Sequence, residues 1–381
     1  MSTHTVLLPT GELNLSLAAS DFAIDDLTDY AARQNPKRGF LFVSKLLAKY
    51  WPSRPDAMWR MHQYLAQALE SAVQGPSVFI GMAEAAAGLG QGVYEAYVNQ
   101  TSVSEHLFIH TSRYSLADIQ RLDFKEQHSH ASQFYLYVPS EPLLQQIFLN
   151  AQTLVLIDDE LTTGTTFVNL IKAYQRVNPA IQRVVIVSIL NFVGSVRQQQ
   201  IQQQLALDVR FMSALAAEVN FISNPDYRYT QIPNVRSKLD CKRQHLSLTA
   251  GRLGVQGCLE LDMTALKIPM QRWQKGQSVL VLGTGEFIHV AFLISRYLEQ
   301  QGWNVRVQST ARSPLLKGEA IKEKMEFIDN YADNIPNYLY NVSTDQYDQV
   351  IICHETPMCA ALQQLVQELN ASSFYYADGK I

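Results

Sequence analysis

Leu154-Val155-Leu156-Ile157-Asp158-Asp159-Glu160-Leu161-Thr162-Thr163-Gly164-Thr165-Thr166 decides how this 381-residue chain is read. Leu154 to Ile157 are consecutive apolar residues, which predicts a strand buried on both faces. Two acids stand at its carboxyl end, and a loop of small and hydroxyl residues then opens a helix at about Phe167. In open α/β sheets, ligands bind outside the carboxyl ends of the strands. A helix entered through Thr and Gly offers N–H groups and a positive dipole end that suit a phosphate dianion. Gly164 allows close backbone approach, and the threonine hydroxyls add donors. The carboxylates of Asp158 and Asp159 suit vicinal sugar hydroxyls or a hydrated Mg²⁺. These residues alone imply a 5-phosphorylated sugar lying across a strand end. The plain structural alternative is an N-capped helix after a strand, with incidental acids.

Working outward, strands and helices alternate. Ser77–Ile80, Leu107–Ile109, Phe134–Val138 and Val184–Leu190 predict strands. Asp56–Val73, Met82–Tyr97, Leu143–Leu149 and Phe167–Val177 predict helices. Such alternation implies a mainly parallel sheet with helices on its faces. At the start, Val6–Leu8 and Leu13–Leu17 read as a hairpin, followed by a helix from Asp21 to about Ala32. The Gln-rich residues 194–205 read as a solvated helix. Asn224–Arg243, with two prolines and mixed charge, reads as an interdomain connection. Alternation then resumes, with strands at Val279–Leu282, Val305–Val307, Gln349–Cys353 and Phe374–Tyr376. Helices are expected at Phe287–Gln300, Gly318–Tyr331 and Met358–Leu369. The expectation is two α/β units, at residues 1–222 and 246–381, joined by a linker at 223–245.

Composition narrows the function classes. The 31 basic and 35 acidic residues leave a net charge of −4, so no dominating basic field draws a nucleic-acid backbone. Hydrophobic residues at 47% and charged residues at 17% can fill a sizeable core, which excludes long-range disorder. No apolar run of about 18 residues predicts a membrane span. Met1 to Ser20 lacks a basic n-region and carries Glu12, so it does not read as a signal peptide. Cys241, Cys258, Cys353 and Cys359 form no CxxC pair, which fits a reducing, cytoplasmic location.

Other segments carry candidate chemistry. Gly81-Met82-Ala83-Glu84 ends a strand in small residues ahead of a helix, a second place for anion binding, with Glu84 either capping the helix or binding Mg²⁺. Residues 111–132 show no periodicity and hold Arg113, Glu126, His128 and His130. A loop longer than ~12–15 residues is often a functional lid. Cations there can neutralise charge on a leaving group, and two His around Ser129 can act as acid or anion ligands. In the second unit, Gly283-Thr284-Gly285-Glu286 follows a strand and opens a helix, but Ile288 stands where a dinucleotide fingerprint has its third glycine. A methyltransferase-like pocket and a simple small-residue turn are alternatives. Thr310-Ala311-Arg312-Ser313 at another strand end is an anion-site candidate, and His354-Glu355 a further site-forming pair.

The segment around Asp158 resembles the phosphoribosyl-diphosphate (PRPP) signature of type I phosphoribosyltransferases: an apolar strand, two acids, then Thr-Gly-x-Thr. The second unit resembles the TRSP domain, and bacterial proteins of tellurite-resistance-type stress clusters join the two. The Asn35–Arg38 stretch, Phe40–Lys45 and His128–His130 look like that group as well, so the resemblance covers almost the whole chain. It implies a type I phosphoribosyltransferase-like mainly parallel sheet followed by a Rossmann-like α/β domain. It implies that Asp158 and Asp159 contact the ribose hydroxyls and Mg²⁺. Thr162, Thr163, Gly164, Thr165 and Thr166 would cradle the 5-phosphate. Gly81, Met82, Ala83 and Glu84 would form the pyrophosphate loop, and residues 111–132 the catalytic hood, with Arg113, Glu126, His128 and His130 in catalytic roles. The substrates would be Mg-PRPP and an unidentified base-like acceptor, in biosynthesis of a nucleoside-like metabolite. A PRPP- or nucleotide-sensing binding protein is the alternative. A homodimer and pathway enzymes are the expected partners beyond these small molecules, with no nucleic acid and no membrane.

Three departures stand out. Glu160 replaces a usually apolar residue. Thr162 occupies the place where purine-salvage members often carry an acid. Ala311 replaces the threonine of Thr-Arg-Ser-Pro, and Thr310 lies one place earlier. Gly283, Gly285, Glu286, Thr310, Arg312, Ser313, His354 and Glu355 are the second-domain candidates. Arg312 is expected to leave PRPP affinity untouched, because it lies in the other domain.

Overall fold

The structure is a computed structural model that describes residues 2–35, 38–101, 105–125, 133–229, 246, 250–264, 266, 268–318 and 320–377. The chain opens with strands β1 (Ser2–Leu8) and β2 (Gly11–Leu17), a single helical turn α1 (Ile24–Leu27), and strands β3 (Thr28–Ala32) and β4 (Phe40–Ser44). Then come α2 (Pro55–Leu69), β5 (Ser77–Gly81), α3 (Ala87–Val98), β6 (His106–His110), β7 (Arg121–Lys125), β8 (Gln133–Tyr137) and α4 (Pro142–Asn150). The first unit closes with β9 (Thr153–Leu161), α5 (Thr165–Gln175), β10 (Arg183–Asn191), α6 (Ser195–Leu205) and β11 (Asp208–Ser223). The second contains β12 (Ser278–Gly283), α7 (His289–Gln300), β13 (Asn304–Ser309), β14 (Lys324–Ile328), β15 (Pro336–Tyr340), β16 (Gln349–His354), α8 (Ala360–Glu368) and β17 (Ser372–Tyr375).

The first sheet has the order β1-β2-β11-β10-β9-β5-β6. Strands β5, β6, β9, β10 and β11 pair in parallel, and the β1–β2 hairpin adds in antiparallel fashion to the second half of β11. Leu154 to Ile157 and Val184 to Val187 are buried, as continuous apolar runs in a parallel sheet require. From β5 the chain crosses to β6 on one side, whereas β9 leads to β10 and β11 on the other. The order therefore reverses between β5 and β9, and the crevice outside their carboxyl ends is where such a sheet binds ligand. The second sheet, β13-β12-β16-β17, is wholly parallel. Its order reverses between β12 and β16.

Several local expectations are corrected. Only Ile24–Leu27 of the Asp21–Ala32 segment is helical; Thr28–Ala32 pairs with Phe40–Ser44, placing Tyr30 opposite Phe42. Burial of that apolar hairpin outweighs local helix preference. Gly318–Tyr331 holds no helix among its described residues, because Lys324–Ile328 pairs with Pro336–Tyr340. The stretch 111–132 contains β7, whose Leu122 and Phe124 face Leu136 and Phe134 of β8. Helix α3 begins at Ala87, five residues after Met82, and β9 runs on through Asp158, Asp159 and Glu160 to Leu161. Of the expected linker, Ser223 belongs to β11, and residues 230–245 lie outside the described residues.

The Ala/Gly-rich helix α3 brings the two halves together. Gly88 and Gly92, one turn apart, share a face. A Cβ at Gly88 would lie 2.6 Å from Ile288 Cγ2, just ahead of α7, and one at Gly92 would overlap the buried His62 ring of α2. The glycines are there for close packing. Gly92→Ala is expected to lower stability by about 1–3 kcal/mol through overpacking, read as a lower thermal midpoint; an unchanged midpoint would show that His62 has room to move.

Candidate functional site

A cavity of about 540 Å³ opens at the crevice between β5 and β9. Three segments leaving the carboxyl ends of neighbouring strands line it. From β9 come Asp158, Asp159 and Glu160, then Thr162 to Thr166 at the start of α5. From β5 come Met82, Ala83 and Glu84, and just beyond β6 comes Arg113. Gly81 pairs with Ile157 and His110, which sets these segments side by side, but Gly81 itself is not among the lining residues.

Gly164 caps α5 with φ of +70°, a left-handed conformation that favours glycine. Its ideal Cβ would also lie 2.6 Å from Ile201 Cδ1 of α6. Both constraints fix the turn that directs the first residues of α5 to the cavity, where N–H groups lack helical acceptors. Asp158 Oδ1 accepts the Asp159 N–H at 3.0 Å, which orders the strand end. Burial, and secondarily the Glu160 charge, hold the Asp159 carboxyl above the usual aspartate range. The donor set is all oxygen, which fits a Mg²⁺ bound through one or two carboxylates, substrate phosphates and water. No group of three or more His, Cys, Asp or Glu side chains that could hold a metal occurs among the described residues.

In the loop after β5, several backbone N–H groups are already bonded within the protein. The Met82 N–H donates to Ile157 O at 2.9 Å, Ala83 N–H to Thr111 Oγ1 at 2.8 Å, and Ala86 N–H to Met82 O at 2.9 Å. Side chains bring positive charge to this end. Lys49 and Arg312 both pair with the buried Glu84 carboxylate. Burial alone raises the Glu84 pKa, but Lys49 and Arg312 outweigh it and hold the carboxyl below its usual range. Burial holds the Lys49 ammonium below its ordinary range, partly offset by Glu84. Arg113 lies over the Phe134 ring at 4.2 Å.

The other end of the cavity is aromatic. Phe40, Phe192 and Phe221 line it; Phe40 sits 5.0 Å from Phe221, and Phe192 stacks on Phe42 at 4.6 Å. Arg38 pairs with Glu160 Oε1 at 2.6 Å and covers Phe40 at 4.8 Å. Glu160 Oε2 is buried and has no hydrogen-bond partner among the described residues.

Arg312 and Ser313 of the second unit line this same cavity, which corrects the expectation that Arg312 is remote from it. The remaining second-unit candidates lie elsewhere. Thr310 and Gly285 turn toward Lys49, whose Nζ donates to Thr310 O at 2.6 Å and Gly285 O at 3.0 Å. Gly283 ends β12 and packs against the Phe287 backbone. Glu286 and Glu355, at the reversal point of the second sheet, are filled by protein. Arg252 donates to both Glu355 oxygens, at 2.8 and 3.0 Å, and to Glu286 Oε2 at 3.1 Å. Ser112 Oγ donates to Glu286 Oε2 at 2.7 Å, and the Arg113 N–H to Oε1 at 2.6 Å. Tyr331 bonds Glu355 Oε1 at 3.1 Å and stacks on Tyr114 at 4.3 Å. His354 is buried, with Nδ1 2.7 Å from Thr356 O, and burial lowers its pKa. Glu126, His128 and His130 lie outside the described residues.

Lys49, Tyr50, Arg33, Phe192 and Phe221 also line the cavity and were not singled out in the sequence. None lies in a Gly/Thr loop or an acidic pair. Their one signal is position, since Arg33 and Lys49 flank the Asn35–Lys45 stretch.

Residues 27–218 match the family model described as Phosphoribosyl transferase (PRTase_2). Residues 249–369 match the TRSP domain, described as C-terminal to PRTase_2. No curated protein matches the chain. Among solved structures, it is similar to adenine phosphoribosyltransferase from Leishmania donovani at 16% identity and a TM-score of 0.36, covering 50% of this chain and 76% of that one. It is similar to the Trypanosoma brucei enzyme in complex with AMP, pyrophosphate and ribose-5-phosphate at 11% identity and a TM-score of 0.36, covering 56% and 87% of the two chains. It is also similar to the Giardia lamblia enzyme complexed with 9-deazaadenine at 17% identity and a TM-score of 0.30, covering 42% and 80%. Likeness at this level carries no argument about substrate.

Proposed function

The chain belongs to the phosphoribosyl transferase family that carries a C-terminal TRSP domain, and from that premise we propose that it uses Mg-PRPP to form, or in reverse to cleave, a ribosyl-5-phosphate bond to a base-like acceptor. One observation carries the reading: a hydroxyl-rich helix entry, two adjacent carboxylates and a cationic end share one cavity of about 540 Å³, a size that suits a small-molecule substrate. In this reading Thr162 to Thr166 and the first turn of α5 hold the 5-phosphate. Asp158 and Asp159 hold the ribose hydroxyls and are the side chains that would face the metal. The bound Mg²⁺ would neutralise charge on the diphosphate. The acceptor lies against Phe40, Phe192 and Phe221, with Glu160 Oε2 available to accept one of its N–H groups. As the C1–O bond breaks, the electron pair leaves with pyrophosphate, the acceptor nitrogen bonds C1, and the proton it sheds passes to solvent water. The chain's contribution is position and fixed charge.

In this reading the transferase domain runs through β11 to Ser223, a linker follows, and the TRSP-like domain spans 246–381. Glu126, His128 and His130 serve as hood residues, and the product is a nucleoside-like stress metabolite. The test is pyrophosphate release from Mg-PRPP by the full chain, screened against bases, amines and small acids. Release that depends on one acceptor supports the transferase and names its substrate. Tight PRPP binding without release for any acceptor replaces it with a PRPP-binding sensor.

A further inference from the structure

Lys49, Glu84 and Arg312 come from three separate parts of the chain, and all three line the cavity. Their side chains are 4%, 9% and 7% exposed. Each Glu84 oxygen meets one cation: Oε1 pairs with Lys49 Nζ, and Oε2 lies 3.3 Å from Arg312 Nε. Both cations have further anchors, several of them in the second unit. Lys49 Nζ also bonds the carbonyls of Thr310 and Gly285, and Arg312 lies over the Tyr114 ring at 4.5 Å with Asp333 Oδ2 3.9 Å from Nη2. A carboxylate whose two oxygens each take one cation has the charge and reach of one edge of a phosphoryl group. The neighbouring N–H groups of Met82, Ala83 and Ala86 are already bonded within the protein. An anion arriving here meets two side-chain cations, and those cations are held by Glu84.

We propose that Glu84 is an internal stand-in for the diphosphate of PRPP: it occupies Lys49 and Arg312 in the free protein, and Mg-PRPP takes both cations from it. This rests on the transferase reading and extends it. The second domain and the segment before α2 supply the diphosphate contacts, and an acidic residue in the binding loop weakens ground-state binding. The exchange is favourable because a diphosphate offers more anionic oxygens to the two cations than one carboxylate does.

The sign of one substitution decides the matter. If Glu84 competes with the diphosphate, Glu84→Gln tightens binding. If Glu84 holds the metal or supports the loop, the same change weakens it. Calorimetric titration of the full chain with inorganic pyrophosphate plus Mg²⁺, and separately with Mg-PRPP, reads this directly. Glu84→Gln is expected to tighten pyrophosphate about tenfold or more, and Arg312→Met and Lys49→Met to weaken it about tenfold or more. In the Arg312→Met background the gain from Glu84→Gln should shrink, because the two changes act through one contact. Glu84→Gln leaves two buried cations without their partner and can fail to fold. Glu84→Asp keeps the charge but cannot span both cations, so it should tighten binding by a smaller factor. Weaker binding in both Glu84 variants, or an Arg312→Met affinity within twofold of wild type, overturns the proposal. A wild-type chain that binds neither Mg-PRPP nor pyrophosphate overturns the transferase reading itself. Wild-type binding that no variant alters overturns only the stand-in.

Discussion

Replacing Asp158 and Asp159 together with Asn is expected to lower Mg-PRPP affinity by about 10²–10⁴-fold while leaving the fold intact. Each carboxylate can accept hydroxyl protons on both oxygens. An amide keeps one acceptor and loses the charge that favours a hydrated cation. Hydrogen bonds to charged groups contribute about 1.5–3 kcal/mol each, which sets the range for two positions. Asp158 Oδ1 accepts the Asp159 N–H, and an asparagine Oδ1 accepts it equally well. Asp159 is held protonated to higher pH than an ordinary aspartate by burial and by Glu160, so its ionisation costs the free protein stability. That cost is absent at low pH and grows as pH rises through the raised pKa. The neutral amide removes it, so the variant's thermal midpoint at neutral pH should equal or exceed the wild type's. Calorimetry showing retained affinity would refute the ribose-contact assignment, and the unchanged midpoint separates lost binding from lost folding. Wild-type affinity for Mg-PRPP should also fall on acidification at a higher pH than an unperturbed aspartate would give, because binding needs the ionised form.

The second large effect concerns stability. Arg252→Met is expected to cost about 3–5 kcal/mol at neutral pH, because Glu286 and Glu355 are then buried without their shared cation. Replacing Glu286 and Glu355 by Gln alongside Arg252→Met should recover most of the loss, since no buried charge is then left unpaired. A single Arg252→Met variant as stable as wild type at neutral pH would show that water already reaches the network. The same variant should reduce turnover, because Glu286 also holds the Arg113 N–H and Ser112.

The sequence made the sheet legible where physical pattern is strongest. Leu154–Ile157 and Val184–Leu190 are apolar runs with a single outcome, and the loop from Thr162 to Thr166 announced the helix entry at α5. The misread segments share one cause. Thr28–Ala32 and Lys324–Ile328 are short strands whose partners lie about 8–16 residues away across a loop, and pairing, not local propensity, decides them. The phosphate loop and acids of the cavity were visible because they sit on one contiguous segment. Lys49, Phe192, Phe221 and the shared position of Arg312 were not, because they meet only through tertiary packing. The filling of the second sheet's crevice by Arg252, Tyr331 and the Ser112–Tyr114 turn likewise has no trace in local pattern.

That turn has a consequence for how the two halves can change. Arg113 reaches the first sheet's cavity on a backbone whose N–H is bonded by a carboxylate of the second. A recombination event that exchanged one half for a homologous one would have to bring a matching Glu286 and Arg252 with it, or the hybrid would lose the anchor of its own cavity wall. Expressed as separate polypeptides, the halves would meet only at their bulk concentration, whereas covalent linkage keeps each at a high effective concentration for the other. Inheritance as a single gene is thus the arrangement under which this contact can be kept.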